Sequence, residues 1–274
     1  MLDNIFVQGD GHSVCEDYSW SGLIKDEYPC IIISDGCSGS VHTDIGARIM
    51  VRSLIASLNI ADLSRPLHKI KEQIDLFLTA KIDKMRDAME LPIESLDATV
   101  RMVMLLDNKL LMFNYGDGYT VFRNHTTNET NIFYVDYPFN APYYFNYTMY
   151  DRLSDKYIDK YKDIPLDESG EKVSVKDHVE KSEFHWSIID INDLDNGEWT
   201  VSVMSDGVET FYKGNDNFKA MDVVSDITDF KNFRGEFVQR KVGMYLSRHA
   251  KNNVEHYDDI SVASMKFEVE DDDE

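Results

Sequence analysis

The chain has 274 residues and carries 50 Asp and Glu against 28 Lys and Arg, a formal net charge of −22. Nucleic acid and anionic membrane surfaces both call for basic patches, so neither is an expected partner. A content of 43% hydrophobic and 12% aromatic residues is enough to fill a core, which excludes a disordered chain. Cys15, Cys30 and Cys37 form no CxxC pair and fit a reducing compartment better than a disulfide framework. The start "MLDNIFVQGD" has acids and no basic n-region, and no apolar stretch approaches the roughly 20 residues of a membrane span. A soluble, cytoplasmic protein is the expectation.

In chain order, "NIFVQGDG" and "DYSWSGLI" read as short strands around a turn, and "YPCIIISD" as a third strand. The run Ile31, Ile32, Ile33 predicts a strand covered on both faces, since consecutive β-branched residues suit a buried sheet. "HTDIGARIMVRSLIASLN" switches to a helical period, with Thr43 or Asp44 as its expected cap. A second amphipathic helix follows through Leu67, Ile70, Ile74, Phe77, Leu78 and Ile82. "DATVRMVMLLDNKLLMFNYGDGYTVFRN" predicts strands with a hairpin at Asp107–Asn108 and a break at "GDG", and "TNIFYVDY" a further strand. Residues 138–181, crowded with Tyr, Asp and Lys, have no clean period; they read as a flap or insertion, or as aromatic core. "SEFHWSIIDI" and "GEWTVSVMSDG" return to strands, "FRGEFVQRKVGMYLSRHAKN" reads as a helix and "ISVASMKFEV" as a closing strand. This order predicts one α+β domain over residues 1–267, followed by an acidic tail at 268–274.

Acids recur where these strands end. "IIISDG" ends on Asp35, "VSVMSDG" on Asp206 and "MFNYGDG" on Asp117, while Glu16–Asp17 and Asp258–Asp259 precede strands. One Asp–Gly at a strand end is ordinarily a turn. Several such ends in one chain, two of them carrying the same "SDG", are less easily independent turns. If they converge, their carboxylates repel unless cations lie between them. An oxygen-only ligand set selects hard ions such as Mg²⁺ or Mn²⁺. The glycine-rich "DGCSGS" lacks the Lys-Ser/Thr of a P-loop, there is no GxGxxG, and the scattered histidines form no HExxH.

The ordered set "ED … SDG…G … DAT … GDG … SDG … DD-I-S-V" resembles the metal-dependent protein phosphatases of the PP2C family, in particular their divergent bacterial and phage-type branch. The resemblance runs from Gly9 to about Phe267. It implies a β-sandwich of two antiparallel sheets flanked by α-helices, a four-layer αββα arrangement with the metals at one end. It also implies that Asp35 bridges two ions, the Gly36 carbonyl binds one of them, and Asp206 and Asp258 complete the first. Asp17 would belong to the second ion, with Glu16 beside it, and Asp117 to a third. Glu209 could assist that third ion or face water; water is the simpler reading.

The implied activity is hydrolysis of phosphoserine and phosphothreonine in proteins, with two or three Mg²⁺ or Mn²⁺ ions generating hydroxide from water, so that no side-chain nucleophile is assigned. Two positions depart from the family pattern. His12 stands where an Arg usually holds phosphate, and a His does this only while protonated. Cys37 stands where better-known members carry a His thought to act as general acid. A thiol could donate a proton, but small Cys residues are more often inert packing and a metal-bound water is the better candidate, so leaving-group protonation is unassigned. These departures keep two rivals open: a catalytically silent binding or regulatory module, and a phosphatase for a small phosphorylated molecule.

Overall fold

The computed structural model describes residues 1–135, 137, 140–161 and 185–270. The three-isoleucine strand lies at the centre of its architecture. Strand β3 (Tyr28–Ser34) pairs with β2 (Tyr18–Ile24) on one side and β4 (Val100–Leu106) on the other. Strands β5 (Lys109–Tyr115) and β8 (Trp186–Asp190) complete an antiparallel sheet of order β2-β3-β4-β5-β8. The second sheet is built from β1 (Leu2–Val7), β13 (Ile260–Val269), β9 (Gly197–Met204), β6 (Gly118–Asn124) and β7 (Thr130–Val135), in that order.

Alternation along β3 explains how the sheets stack. Ile31 and Ile33 point into the layer between the sheets, with Val103, Phe122, Val201 and Ala263, and Ile32 points the other way. There it meets helices α1 (Thr43–Ile60) and α2 (Leu67–Ala88), through Met50, Leu54, Ile74 and Leu78. All three isoleucines are fully buried. Each contributes roughly 1.5–3 kcal/mol of apolar burial, which explains why this segment can carry a charged residue at its end. On the opposite side α5 (Ala220–Ile227) and α6 (Phe237–Ala250) cover the second sheet through Val224, Val238 and Val242. Asp3 of β1 fastens α6, accepting from the backbone N–H of Val238 (2.6 Å) and Gln239 (3.1 Å) at the positive end of the helix. The layers are therefore helix, sheet, sheet, helix, the expected α+β sandwich.

Several sequence expectations meet a different local outcome. "NIFVQGDG" and "DYSWSGLI" are strands, yet they lie in different sheets: β1 pairs with β13, from the far end of the chain. The first helix has His42, in the left-handed region at φ 60°, as its N-cap, with no side-chain cap. Thr43 instead turns its hydroxyl to Glu16 Oε1 (2.9 Å) and the Cys37 carbonyl (3.2 Å). The aromatic segment contains the short helix α3 (Phe145–Met149) and the helix α4 (Asp151–Tyr161). Tyr143, Phe145 and Tyr157 are buried in the core shared with α1 and α2, with Phe145 edge-on to Tyr115. The described part thus packs as core; residues 138, 139 and 162–181 of that stretch lie outside the described residues. Strand β13 continues through Glu268 and Val269, where the acidic tail is expected to begin. Residues 271–274 of that tail also lie outside the described residues. A small three-stranded sheet, β10 (Phe211–Lys213), β11 (Asp216–Asn217) and β12 (Glu255–His256), has no clear counterpart in the sequence pattern. Among the described residues no helix is long and apolar enough to cross a membrane.

One contact fixes how α1 sits on the sheet. A Cβ on Gly46 would lie 1.6 Å from the Ser95 carbonyl oxygen, in the 3-10 turn Ile93–Leu96 that leads into β4. Helix propensity alone favours Ala over Gly by about 1 kcal/mol. Backbone displacement costs more, typically about 1–3 kcal/mol or beyond. Gly46→Ala is therefore expected to destabilise the fold despite the better helix former, read as a lower midpoint in urea with an unchanged slope.

Candidate metal centre

The register brings the acidic strand ends together. Tyr18 of β2 lies opposite Ser34 of β3, so Asp17 and Asp35 leave neighbouring strands side by side. In the other sheet Val262 and Tyr119 both lie opposite Met204. That places the approach to β13, with Asp258 and Asp259, beside the exit of β9, with Asp206, and the entry to β6, with Asp117. Asp35, Gly36, Asp117, Asp206 and Asp258 line one cavity of about 60 Å³ at this end of the sandwich, room for several water-sized species. Asp17 lies behind it, 1% exposed.

Each acid is held by short-range geometry that its neighbours in sequence supply. The "DAT" segment clamps the "SDGC" turn: Asp35 N–H donates to Thr99 Oγ1 (3.0 Å), Thr99 N–H to the Asp35 carbonyl (2.7 Å) and Cys37 N–H to the Asp97 carbonyl (2.8 Å). Gly36 forms an isolated bridge to Ala98, and a Cβ there would come within 2.8 Å of Thr43 Cβ. Contact with the start of α1 is thus sufficient reason for that glycine. Ser205, the residue before Asp206, donates its hydroxyl to Asp17 Oδ2 (2.8 Å) and accepts from Ser261 N–H (2.9 Å), tying one sheet to the other. Asp117 is 7% exposed, and its carbonyl receives Arg101 Nε (2.9 Å). Arg101 lies fully beneath the site, also donating to Thr120 Oγ1 (3.2 Å), and burial lowers its pKa to about 10.

The electrostatics are those of crowded, buried carboxylates. Burial, then the neighbouring Asp17 and Asp206, raise Asp35 well above the ordinary carboxylate range. Asp17 is raised by burial and by Asp259, against the hydrogen bond from Ser205. Asp258 is raised by burial and then by Asp206. Asp17 Oδ1 is buried with no hydrogen-bond donor. Among the described residues no three or more of these side chains are already closed around one point as a metal-ligating group. They line the cavity walls as hard oxygen donors, and a divalent cation is the group that would relieve both the repulsion and the orphaned oxygen. The residues present therefore fit Mg²⁺ or Mn²⁺.

His12 sits against these acids. Its Nδ1 lies 3.0 Å from Asp259 Oδ2 and 3.4 Å from Glu16 Oε2, and its Nε2 lies 3.3 Å from Asp258 Oδ1. Burial opposes protonation of the ring, yet Asp259, Asp258 and Glu16 together outweigh it and raise its pKa. Glu16 is itself raised by burial, against the hydrogen bond from Thr43. Asp259, 1% exposed, also accepts from the N–H of Gly9 (2.7 Å) and Glu16 (2.5 Å), so one carboxylate anchors the whole 9–16 loop. The sequence gives Asp259 only as the second acid of a pair. Arg101 was open to detection as a lone charge in the apolar strand "TVRMVMLL". Glu209 is exposed and accepts a hydrogen bond from Tyr119. Cys37 and Tyr144 both line the cavity.

A family model described as protein phosphatase 2C matches residues 10–242. No curated protein matches the chain. Among solved structures, the S. agalactiae serine/threonine phosphatase shares 14% identity at a TM-score of 0.59, covering 98% of this chain and 99% of that one. Serine/threonine phosphatase Stp1 from Staphylococcus aureus shares 12% at 0.56, covering 98% and 96%. The Mycobacterium tuberculosis serine/threonine phosphatase PstP/Ppp shares 11% at 0.56, covering 98% of each chain. Likeness at these identities speaks for a shared sandwich.

The raised carboxylates set the sign of a pH effect. An acid whose pKa is higher in the folded than in the unfolded chain binds more protons when folded, so stability falls as pH rises from its ordinary value to its raised one. Without divalent cations the protein is expected to lose thermal stability between about pH 4 and neutrality through Asp17, Asp35 and Asp258. Mn²⁺ is expected to raise the melting temperature more at pH 7 than at pH 5, because fewer protons then compete for the same oxygens. An Mn²⁺ shift of equal size at both pH values, or one retained in Asp206→Asn, would exclude this cluster as the binding site.

Proposed function

The chain belongs to the protein phosphatase 2C family, and from that premise we propose that it is a Mg²⁺- or Mn²⁺-dependent phosphatase acting on phosphoserine and phosphothreonine in proteins. The observation that carries this reading is the convergence of Asp35, Asp117, Asp206 and Asp258, from both sheets, on one cavity, with Asp17 buried behind it. In this reading Asp35, the Gly36 carbonyl, Asp206 and Asp258 would hold a first cation, Asp35 and Asp17 a second, and Asp117 a third. When bound, the cations supply positive charge for the phosphoryl oxygens and an acidified water. The protein's own part is to fix the oxygens. Ser205 orients Asp17, Thr99 orients the Asp35 backbone, and Arg101 braces the Asp117 turn.

His12 is assigned to phosphate binding. Its Nε2 faces Asp258, and an Asp258 committed to a cation would release that nitrogen. The same contact favours the rival, a catalytically silent regulatory module, because both ring nitrogens now face carboxylates. We further read residues 1–267 as one catalytic domain, in a cytoplasmic protein whose partner is a phosphorylated protein. The charge of −22 supports neither nucleic acid nor membrane as a ligand.

Hydrolysis of a phosphopeptide and of a small aryl phosphate tests this. Turnover of both with Mn²⁺ is expected, abolished by EDTA and lowered about 100-fold or more in Asp206→Asn. No Mn²⁺-dependent turnover of either would leave the silent module standing; turnover of the aryl phosphate alone would favour a small-molecule substrate. His12→Ala is expected to raise KM for the phosphopeptide more than it weakens Mn²⁺ binding. Kinetics unchanged by that substitution across about pH 6–8 would remove His12 from the site.

A further inference from the structure

A second cavity lies inside the sandwich, at the side where both sheets end. Strand β8 is the last strand of one sheet and β7 the last of the other. Between them, and reaching inward to β4, is a space of about 300 Å³, at the lower end of the range for small-molecule sites. Its walls follow from alternation along the strands. Met102 and Met104 of β4 face helices α1 and α2 while Val103 faces the other sheet, so Arg101 points into the layer between the sheets. Asn114, its register partner on β5, lines the same space. Phe122 of β6, Val135 of β7 and Ile189 of β8 supply apolar walls, and Phe133, 58% exposed, stands at the rim.

A guanidinium in this layer requires a partner, and Arg101 is only 2% exposed. Two of its nitrogens are used: Nε donates to the Asp117 carbonyl (2.9 Å) and Nη1 to Thr120 Oγ1 (3.2 Å), both neutral oxygens. Nη2 is buried with no hydrogen-bond partner, and so is Asn114 Oδ1, although the two residues are cross-strand neighbours. An unmade bond from a buried charged donor is among the costlier defects of a protein interior. Water satisfies such groups where a cavity is polar, and most of this wall is apolar. A carboxylate meets both demands. Its oxygens accept from Nη2, and a half-turn of the Asn114 carboxamide presents Nδ2 to the same group. The apolar walls then call for a hydrocarbon body behind the carboxylate, which a bare inorganic anion lacks.

We propose that this cavity binds a small carboxylate with an apolar body, of the medium-chain aliphatic kind, paired to Arg101. The site is separate from the acid-lined cavity and does not depend on the phosphatase reading. One guanidinium nevertheless serves both places: Nε holds the Asp117 turn, whose side chain lines the acid cavity, and Nη2 belongs to the space between the sheets. A ligand here therefore bears on Asp117 from behind.

Calorimetry with octanoate, octan-1-ol and acetate, at about pH 7 with Mn²⁺ present, tests this. Octanoate is expected to bind at one site per chain, about 10-fold or more tighter than octan-1-ol, which lacks the charge. Acetate, which lacks the body, is expected to bind more weakly than either. Ser187→Trp fills the cavity from the edge strand β8, where Ser187 is half-buried, and is expected to abolish octanoate binding. Retained Mn²⁺ affinity in that variant shows that it is folded. Arg101→Met is expected to bring octanoate down to the level of octan-1-ol. If a variant does not fold, the wild-type order of the three probes decides. Absence of octanoate binding overturns the proposal and leaves the cavity to water. Octan-1-ol binding as tightly as octanoate overturns the pairing to Arg101. A Ser187→Trp variant that binds octanoate like the wild type overturns the site, since the ligand then sits on the cations or elsewhere. None of these outcomes touches the phosphatase reading, which is decided by Mn²⁺-dependent turnover.

Discussion

The structure is organised around the cost of gathering like charges at one end of a β-sandwich. Two unit charges 4 Å apart interact by about 4 kcal/mol at an effective dielectric of 20, and here several acids share a cavity whose floor is fully buried. A stability of about 5–15 kcal/mol, usual for a domain of any kind, cannot absorb many such terms unaided. The scaffold around the acids is correspondingly heavy. Largely apolar strands run up to them, turns lock their backbones, and Asp17 and Asp259 have donors aimed at their carboxylates.

Those donors differ in kind. Asp259 is satisfied by backbone N–H groups and an imidazole, so its charge is spent on holding the 9–16 loop. Asp3 plays a comparable part at the start of α6. Asp17 is satisfied at one oxygen only, by Ser205. An acid with a full set of donors is a structural fastening, whereas one left with an open oxygen in a buried place is suited to a cation. This separates Asp259 from its neighbour Asp258, although the two are adjacent and chemically identical.

Much of this was readable from the sequence, and the part that was not has a common cause. The buried strand Ile31–Ile33, the Asp107–Asn108 hairpin and helices α1, α2 and α6 are local patterns with the correct period, and they form where expected. The acids at strand ends were visible as a recurring composition. Their convergence was not, because it depends on pairings between distant segments such as β1 with β13 and on the register of β6, β9 and β13. The same holds for His12, whose surroundings come from residues nearly 250 positions away. Thr43 looked like a cap and is a bridge to Glu16, since an alternative partner from another strand outcompetes the local one. The aromatic segment hid two helices because its tyrosines serve the core and the cavity wall at once, which blurs a 3.6-residue period.

The hydrogen bond from Ser205 to Asp17 crosses from one sheet to the other at the rim of the sandwich. Acids lining the cavity are drawn from both sheets in the same way, so a cation held there would act as a rivet through two separate layers. Prying the layers apart at that rim would dismantle the site before either sheet lost its own ladder. Occupancy of the site and closure of the sandwich are then one equilibrium, and the chemistry would be available only to a chain whose first and last strands have already found each other.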